Sequence, residues 1–226
     1  MTRLPTIAQR RTRLGLAFLL YFATLWLLWP TPLVYPLKVF VVLLHEISHA
    51  LAAVLTGGDV DRIVLDPYQG GAAYTRGGSP FLILSAGYLG SLLWGLAMLE
   101  AARARARRVT LAITALAAIT LGAGLLLVRS IFGLVFALLF GAALLFAARR
   151  LPARAQAAVL TVLGLTSALY ALLDIRSDIL QSPDAESDAL MLAGLTRVPA
   201  IVWGLIWSAI AVVAVAIEAR RLFRSA

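Results

Sequence analysis

Residues 33–55 read LVYPLKVFVVLLHEISHALAAVL, an apolar run that is long enough to cross a bilayer as one helix. Within it, residues 45–49 form the pentapeptide HEISH, which holds the only two histidines of the chain. Residues four apart on a helix share a face, so both imidazoles can reach one metal ion. The glutamate between them can act on a metal-bound water, which is the zinc chemistry associated with H-E-x-x-H.

The depth of this pentapeptide in the apolar run distinguishes it from chance matches in soluble chains. An ionisable group at membrane depth costs at least about 2.5 kcal/mol unless it is paired or functional. Three such groups, His45, Glu46 and His49, lie within five residues here. Metal ligation is therefore the favoured interpretation, with a proton relay or a purely structural polar cluster as the alternatives.

Composition places the rest of the chain in the membrane as well. The 226 residues are 62% hydrophobic, more than the surface of a globular protein allows. Because cysteine is absent, any metal must be held by His, Asp or Glu. The net charge of +9 comes almost entirely from arginines that lie in short clusters between apolar runs. Loops that flank membrane spans have this pattern, so we reject nucleic-acid binding and expect a lipid bilayer as the environment.

The apolar runs predict an all-α polytopic membrane protein with about seven transmembrane helices, forming a single domain over residues 1–226. Each run is close to the ~20 residues that a hydrocarbon core requires. The arginine-rich N-terminus is interpreted as the flank of a retained first helix, not of a cleaved signal peptide. The predicted spans are residues 14–29, 33–56, 80–100, 109–128, 130–148, 156–175 and 198–217.

Two connecting segments differ from the others. Residues 57–79 contain two short extended stretches joined by a Pro/Gly turn, which predicts a β-hairpin-like loop directly after the H-E-x-x-H helix. Residues 174–197 carry five acids, of which the last three are expected in a solvated loop where Ser182 or Ser187 caps a short helix. The five acids are Asp174, Asp178, Asp184, Glu186 and Asp188.

The two histidines leave a catalytic zinc ion one protein ligand short, because such sites use three ligands and a water. The second and sixth predicted spans run in the same direction, so their C-terminal ends emerge on one side of the membrane. Asp174, at the end of the sixth span, is therefore the predicted third ligand, and Asp178 one turn later is the runner-up. Asp188, Glu186 or another acid remain as further alternatives.

Glu46 is predicted to be the general base, since it is deep in the membrane and lies between the two histidines. In that role it takes a proton from the zinc-bound water and later passes one to the leaving amine. Gly87, Gly90 and Gly95 in the third span are predicted to let that helix pack closely against the catalytic one.

The chain resembles the site-2-protease type of intramembrane zinc metallopeptidases, in a compact branch without appended soluble domains. This resemblance implies His45 and His49 as Zn²⁺ ligands, Glu46 as base and an aspartate from a later helix as third ligand. It also implies membrane-protein substrates that pair with the hairpin. The chain departs from better-studied members in having no asparagine and no Asp-Gly motif at Asp174. The segments that carry the resemblance are residues 45–50, 56–58, 70–71, 75–78, 85–91, 169–175, 187–189 and 202–204.

The resulting hypothesis is a multi-pass zinc endopeptidase of a bacterial-type plasma membrane, with its N-terminus in the cytosol. Basic residues divide almost evenly between the two sides, so this orientation follows the usual tendency of a first helix. One alternative is a proton or ion transporter that uses His45, Glu46 and His49 as a relay. Another is a catalytically silent membrane binding partner. The sequence predicts neither the substrate nor the oligomeric state.

Overall fold

The structure is a computed structural model that describes residues 7–68, 70–180 and 187–224. Side chains are described in these ranges except at residues 7–8, 10–11, 13–14, 171, 174–180, 219 and 222–224. The elements are α1 Ile7–Leu28, α2 Tyr35–Leu55, β1 Asp59–Leu65, β2 Gly71–Arg76, α3 Pro80–Ala102, α4 Ala106–Leu126, α5 Ile131–Arg150, α6 Ala153–Leu180, α7 Asp188–Thr196 and α8 Ala200–Arg224.

The helices confirm the prediction of an all-α polytopic membrane protein with one short hairpin. Each predicted span overlaps one of the helices, with ends that differ by up to seven residues, and the short helix α7 lies between the last two spans. Within the described part of the chain, five helices are long and apolar enough to cross a membrane. They are Pro32–Leu55, Pro80–Ala102, Ala106–Leu126, Ile131–Arg150 and Ala200–Glu218.

Helix α2 forms the centre of the molecule. Its most apolar stretch is 67% buried inside the protein. The most apolar stretch of α8 is only 22% buried, so α8 is a peripheral, lipid-facing helix. The residues from Val39 to Leu44 are almost fully buried on all sides of the helix. A helix that is apolar all round lies either in lipid or among other elements of the protein. Here those elements are α3, α6 and both strands of the hairpin.

The hairpin folds back along α2 and does not project as a surface loop. Its strands pair antiparallel, and Ile63 and Leu65 of β1 are fully buried. At its tip, the Tyr35 hydroxyl at the start of α2 donates to the Pro67 carbonyl at 2.8 Å. The hairpin thus reaches from the C-terminal end of α2 to its N-terminal end. The sequence correctly predicted the hairpin but placed it among the loops on one side of the membrane.

Glycines of α3 allow two close helix contacts. A Cβ on Gly90 would overlap the Ser48 side chain of α2, so the predicted close packing of α3 on α2 is confirmed there. Gly95 instead faces α6, where a Cβ would lie 2.6 Å from the Gly164 carbonyl oxygen. Its predicted contact with α2 is therefore wrong. α3 is wedged between α2 and α6, with a glycine at each contact.

Aromatic side chains hold the last two helices against α3. Trp207 of α8 is 2% exposed and stacks on Tyr88 of α3, with ring centroids 4.7 Å apart. One turn earlier, Trp203 packs edge-on against Phe81 at 5.6 Å and donates through Nε1 to the Thr196 hydroxyl at the end of α7. These contacts fix the position of α7, whose first residue is Asp188.

Candidate metal centre

His45 and His49 lie one helical turn apart on the buried face of α2. They are 7% and 6% exposed, and their ring centroids are 4.7 Å apart. Possible ligand atoms of His45, Glu46 and His49 all lie within 4.8 Å of one another. The i, i+4 spacing therefore brings the two imidazoles together as the sequence predicts.

The carboxylate that meets both imidazoles belongs to Asp188, the first residue of α7. Its Oδ2 atom lies 2.9 Å from His45 Nε2 and 3.1 Å from His49 Nε2. Ser187 caps this helix, because its hydroxyl accepts a hydrogen bond from the Leu190 amide at 3.3 Å. The cap fixes where α7 begins and so directs Asp188 towards α2.

These three atoms form a donor set that suits zinc. Two imidazole nitrogens and one carboxylate oxygen are a known ligand combination for catalytic zinc, with a fourth position for water. A tetrahedral zinc with bonds of about 2.0–2.2 Å keeps its ligand atoms roughly 3.4 Å apart. The distances from Asp188 to His45 and His49 are only a few tenths of an ångström shorter. A small outward movement of the carboxylate would therefore accommodate the ion.

The second ring nitrogens show how the imidazoles are oriented. His49 Nδ1 donates to the Ile83 carbonyl at 2.6 Å, which leaves the lone pair on Nε2 for a ligand. His45 Nδ1 is buried and has no hydrogen-bond partner among the described residues. The His45 ring is instead held by edge-on contacts with Tyr88 at 5.1 Å and Tyr170 at 5.5 Å.

Gly87 of α3 provides the space that the two imidazoles occupy. A Cβ at this position would overlap His45 Nε2 and would lie 2.6 Å from His49 Nε2. A side chain there would push against the two nitrogens that face Asp188. Gly87, which the sequence analysis predicted to mediate helix packing, therefore also belongs to the candidate metal centre.

The hairpin covers the carboxylate of Glu46, which is 4% exposed. The backbone of Ala73 in β2 lies next to this carboxylate. A Cβ on Gly71 would lie 2.6 Å from Glu46 Oε1, so only glycine lets the strand approach this closely. The carboxylate is therefore held between the helix that carries the histidines and the strand that follows it.

The environment of Asp188 favours the ionised carboxylate. Burial raises the pKa of Asp188, but when the imidazoles are protonated the charge of His49 and hydrogen bonds from both rings hold the pKa well below its usual range. Metal binding would displace those protons from the two Nε2 atoms. Asp188 thus presents the deprotonated form that binds metals.

The predicted ligands Asp174 and Asp178 lie in the C-terminal part of α6, where side chains are outside the described residues, as are Asp184 and Glu186 altogether. The assignment of Asp174 or Asp178 therefore stays a prediction. For Asp188 the expected solvated loop is wrong, because its side chain is 13% exposed and contacts both histidines. The available signal was Ser187 followed by an acid and an apolar stretch, a typical start of a buried helix.

A family profile described as Peptidase M50B-like matches residues 18–218. The matched region covers most of the chain and contains His45, Glu46, His49 and Asp188. Comparisons with curated proteins and with solved structures found no match. With five apolar helices and a buried His-Glu-x-x-His cluster, the chain belongs to the M50B-like peptidases, intramembrane metallopeptidases of the site-2-protease type.

Proposed function

We propose that this protein is an intramembrane zinc endopeptidase that hydrolyses peptide bonds of membrane-protein substrates. His45, His49 and Asp188 hold the zinc ion, and Glu46 is the general base. The observation that carries this proposal is the contact of one Asp188 oxygen with both imidazoles, at 2.9 and 3.1 Å, beside the buried Glu46. Asp188 replaces Asp174 and Asp178 in this assignment because its carboxylate is within reach of both histidines.

Bound zinc would supply Lewis-acid activation of a water molecule and of the scissile carbonyl. The Glu46 carboxylate accepts the proton of that water and then delivers a proton to the leaving amine. The backbone of Ala73 lies beside that carboxylate. The Ile83 carbonyl holds His49 in the tautomer whose Nε2 is free to bind the metal.

The outer edge of the hairpin strand β1 is occupied by the α4–α5 connection. The Ile63 amide donates to the Leu127 carbonyl at 2.8 Å, and the Ile63 carbonyl accepts from the Arg129 amide at 2.9 Å. Ser130 Oγ accepts from the Leu65 amide at 3.0 Å and donates to the Leu65 carbonyl at 2.8 Å. Residues 127–130 therefore act as a third strand on this side, and a substrate cannot pair with it.

The outer edge of β2 is the one that faces Glu46. Because the Ile63 backbone groups point away from β2, its partner Ala73 points its own backbone groups away from β1. The position of the Ala73 backbone next to the Glu46 carboxylate agrees with this direction. A substrate strand added at this edge would bring its peptide bonds next to the general base. Since a helix hides its amides, the substrate must be locally unwound there.

Metal analysis combined with cleavage assays tests the proposal. The purified protein should contain one zinc per chain, and Glu46→Gln should keep the zinc while losing cleavage of a reconstituted membrane substrate. Asp188→Ala should lose the zinc, whereas Asp174→Ala and Asp178→Ala should retain it. A wild-type protein without stoichiometric zinc, or normal cleavage by Glu46→Gln, would overturn the assignment.

The two alternative functions give different results in the same preparations. A transporter would carry metal-independent proton or ion flux in liposomes that chelators do not change. A catalytically silent partner would lose its fold, and not a turnover rate, when His45 is replaced. Neither has a specific structural observation in its favour, whereas the peptidase has the position of Glu46.

We also propose that the N-terminus and the base of the hairpin face the cytosol. The chain has no cysteine, so single cysteines can report the orientation through an impermeant thiol reagent. In intact cells, Ala106→Cys at the start of α4 should be labelled, and Asp59→Cys should be labelled only after permeabilisation. The reverse pattern would overturn the orientation and leave the peptidase proposal untouched.

A further inference from the structure

An apolar groove of about 450 Å³ opens between α5 and α6, on the side of the molecule away from Asp188's helix. Leu37 of α2 contributes to its floor. Phe140, Ala143 and Ala147 line the α5 wall, and Ala158 and Val162 line the α6 wall. All of its described lining residues are apolar.

The sequence of α5 explains why the groove exists. In the first half of this helix, Phe132, Phe136 and Phe140 recur every four residues and stack on one another. Phe140 also stacks on Phe40 of α2, with ring centroids 4.7 Å apart. After Phe140 the same face carries Leu144 flanked by Ala143 and Ala147, and the two alanines are too small to fill the gap to α6.

Two arginines lie at the end of the groove nearest the α5–α6 turn. Arg150 follows Ala147 by three residues on α5, and Arg154 precedes Ala158 by four on α6, so each shares a face with a groove residue. Both are exposed. None of the ion pairs formed by described residues involves either of them, and residues 131–173 contain no acid.

We propose that this groove is a binding site for one anionic phospholipid. The acyl chain lies between the alanines of α5 and α6, and Arg150 and Arg154 bind the phosphate group. Guanidinium groups bind phosphate through charge-assisted hydrogen bonds.

The size of the groove argues against a docked protein helix. A helix about 10 Å across occupies roughly 400 Å³ per turn, so the groove would hold only about one turn of it. A soluble anion would need the arginines but not the apolar walls. A phospholipid uses both features, and the charge of the two arginines favours an anionic head group over a zwitterionic one.

The charge part of the site is tested by lipid binding to the full-length protein in detergent. The probes are phosphatidylglycerol and phosphatidylcholine with identical acyl chains, and the readout is native mass spectrometry with thermal unfolding. The wild type should prefer phosphatidylglycerol, and Arg150→Gln with Arg154→Gln should weaken its binding roughly 30-fold, about fivefold for each arginine. The matched control, Arg105→Gln with Arg220→Gln, removes the same charge from other exposed positions and should keep the preference.

The apolar part is tested by filling the groove. Ala143→Leu and Ala158→Leu add side chains at exposed groove positions and should weaken binding of both lipids. Ala142→Leu adds the same volume at an exposed position outside the lining and should not. The proposal is overturned if the wild type shows no preference, if the control arginine variant loses it equally, or if the filled variants bind as the wild type does.

Discussion

The two halves of the candidate metal centre are built in different ways. His45, Glu46 and His49 come from one turn of α2, a largely buried helix enclosed by α3, α6 and the hairpin. Asp188 comes from the first residue of α7, a helix of nine residues that is held by its cap and by aromatic contacts of α8. The first half is fixed by local helical spacing, whereas the second depends on tertiary packing. Changes to each half should therefore have different consequences.

The largest effect is expected when either half loses a ligand. His49→Ala and Asp188→Ala should each lower zinc affinity by more than about 100-fold, since loss of residues that only support a ligand already costs 10–100-fold. The measurement is zinc binding by competition with a chelator, with circular dichroism as a control for folding. Equal losses would show that the two halves are equivalent ligands. If Asp188→Ala binds zinc as tightly as the wild type, the third ligand must be another acid, and Asp174 would be the first to test.

The sequence predicted the local half of this centre but not the remote half. The i, i+4 spacing, the apolar run and the absence of cysteine were enough to select His45, Glu46 and His49. Asp188 was only a minor alternative in the sequence analysis. The second and sixth predicted spans run in the same direction, which made Asp174 at the end of the sixth span the predicted ligand. A helix as short as α7 gives no span signal, and its packing against α3 and α8, with Trp203 and Trp207 stacked on α3, places it beside α2.

The hairpin shows the same limit. Its turn residues predicted two paired strands, because Gly and Pro act locally. Its position along α2 depends on contacts distant in sequence, such as Tyr35 with Pro67 and Ser130 with Leu65. These contacts leave no periodic pattern in the sequence, so the insertion of the hairpin beside Glu46 could not be read from it.

Gly87→Ala tests how tightly α3 encloses the local half. The new Cβ would overlap His45 Nε2, so the imidazoles must move, and zinc affinity should fall by about 10–100-fold, as for loss of a supporting residue. The matched control is Gly122→Ala in α4, where a Cβ meets nothing within 4 Å. That change should be neutral or stabilise the protein by about 0.5–1 kcal/mol. Similar zinc affinity in both variants would show that α3 does not constrain the imidazoles.

Ser130→Ala tests the hairpin that covers Glu46 without touching the metal ligands. It leaves the Leu65 amide and carbonyl without their side-chain partner and also removes the N-terminal cap of α5, which together should lower the free energy of unfolding by about 1–3 kcal/mol. We expect unchanged zinc content and a higher KM, because the edge of β2 shifts relative to Glu46. Ser130→Thr keeps the hydroxyl and should restore both stability and KM. Loss of zinc in Ser130→Ala would instead couple the hairpin to the metal ligands.

Ser187→Ala tests the remote half with the smallest change. Loss of an N-terminal cap typically costs about 1 kcal/mol, and a helix of nine residues has little stability of its own. Because Asp188 is the next residue, fraying of α7 should move its carboxylate away from His45 and His49. We expect roughly fivefold weaker zinc binding, with recovery in Ser187→Thr. The local half has no equivalent weak point, since α2 is enclosed by its neighbours. If Ser187→Ala binds zinc as the wild type does, the packing of α7 against α3 and α8 is enough to hold Asp188 in place, and the remote half is as rigid as the local one.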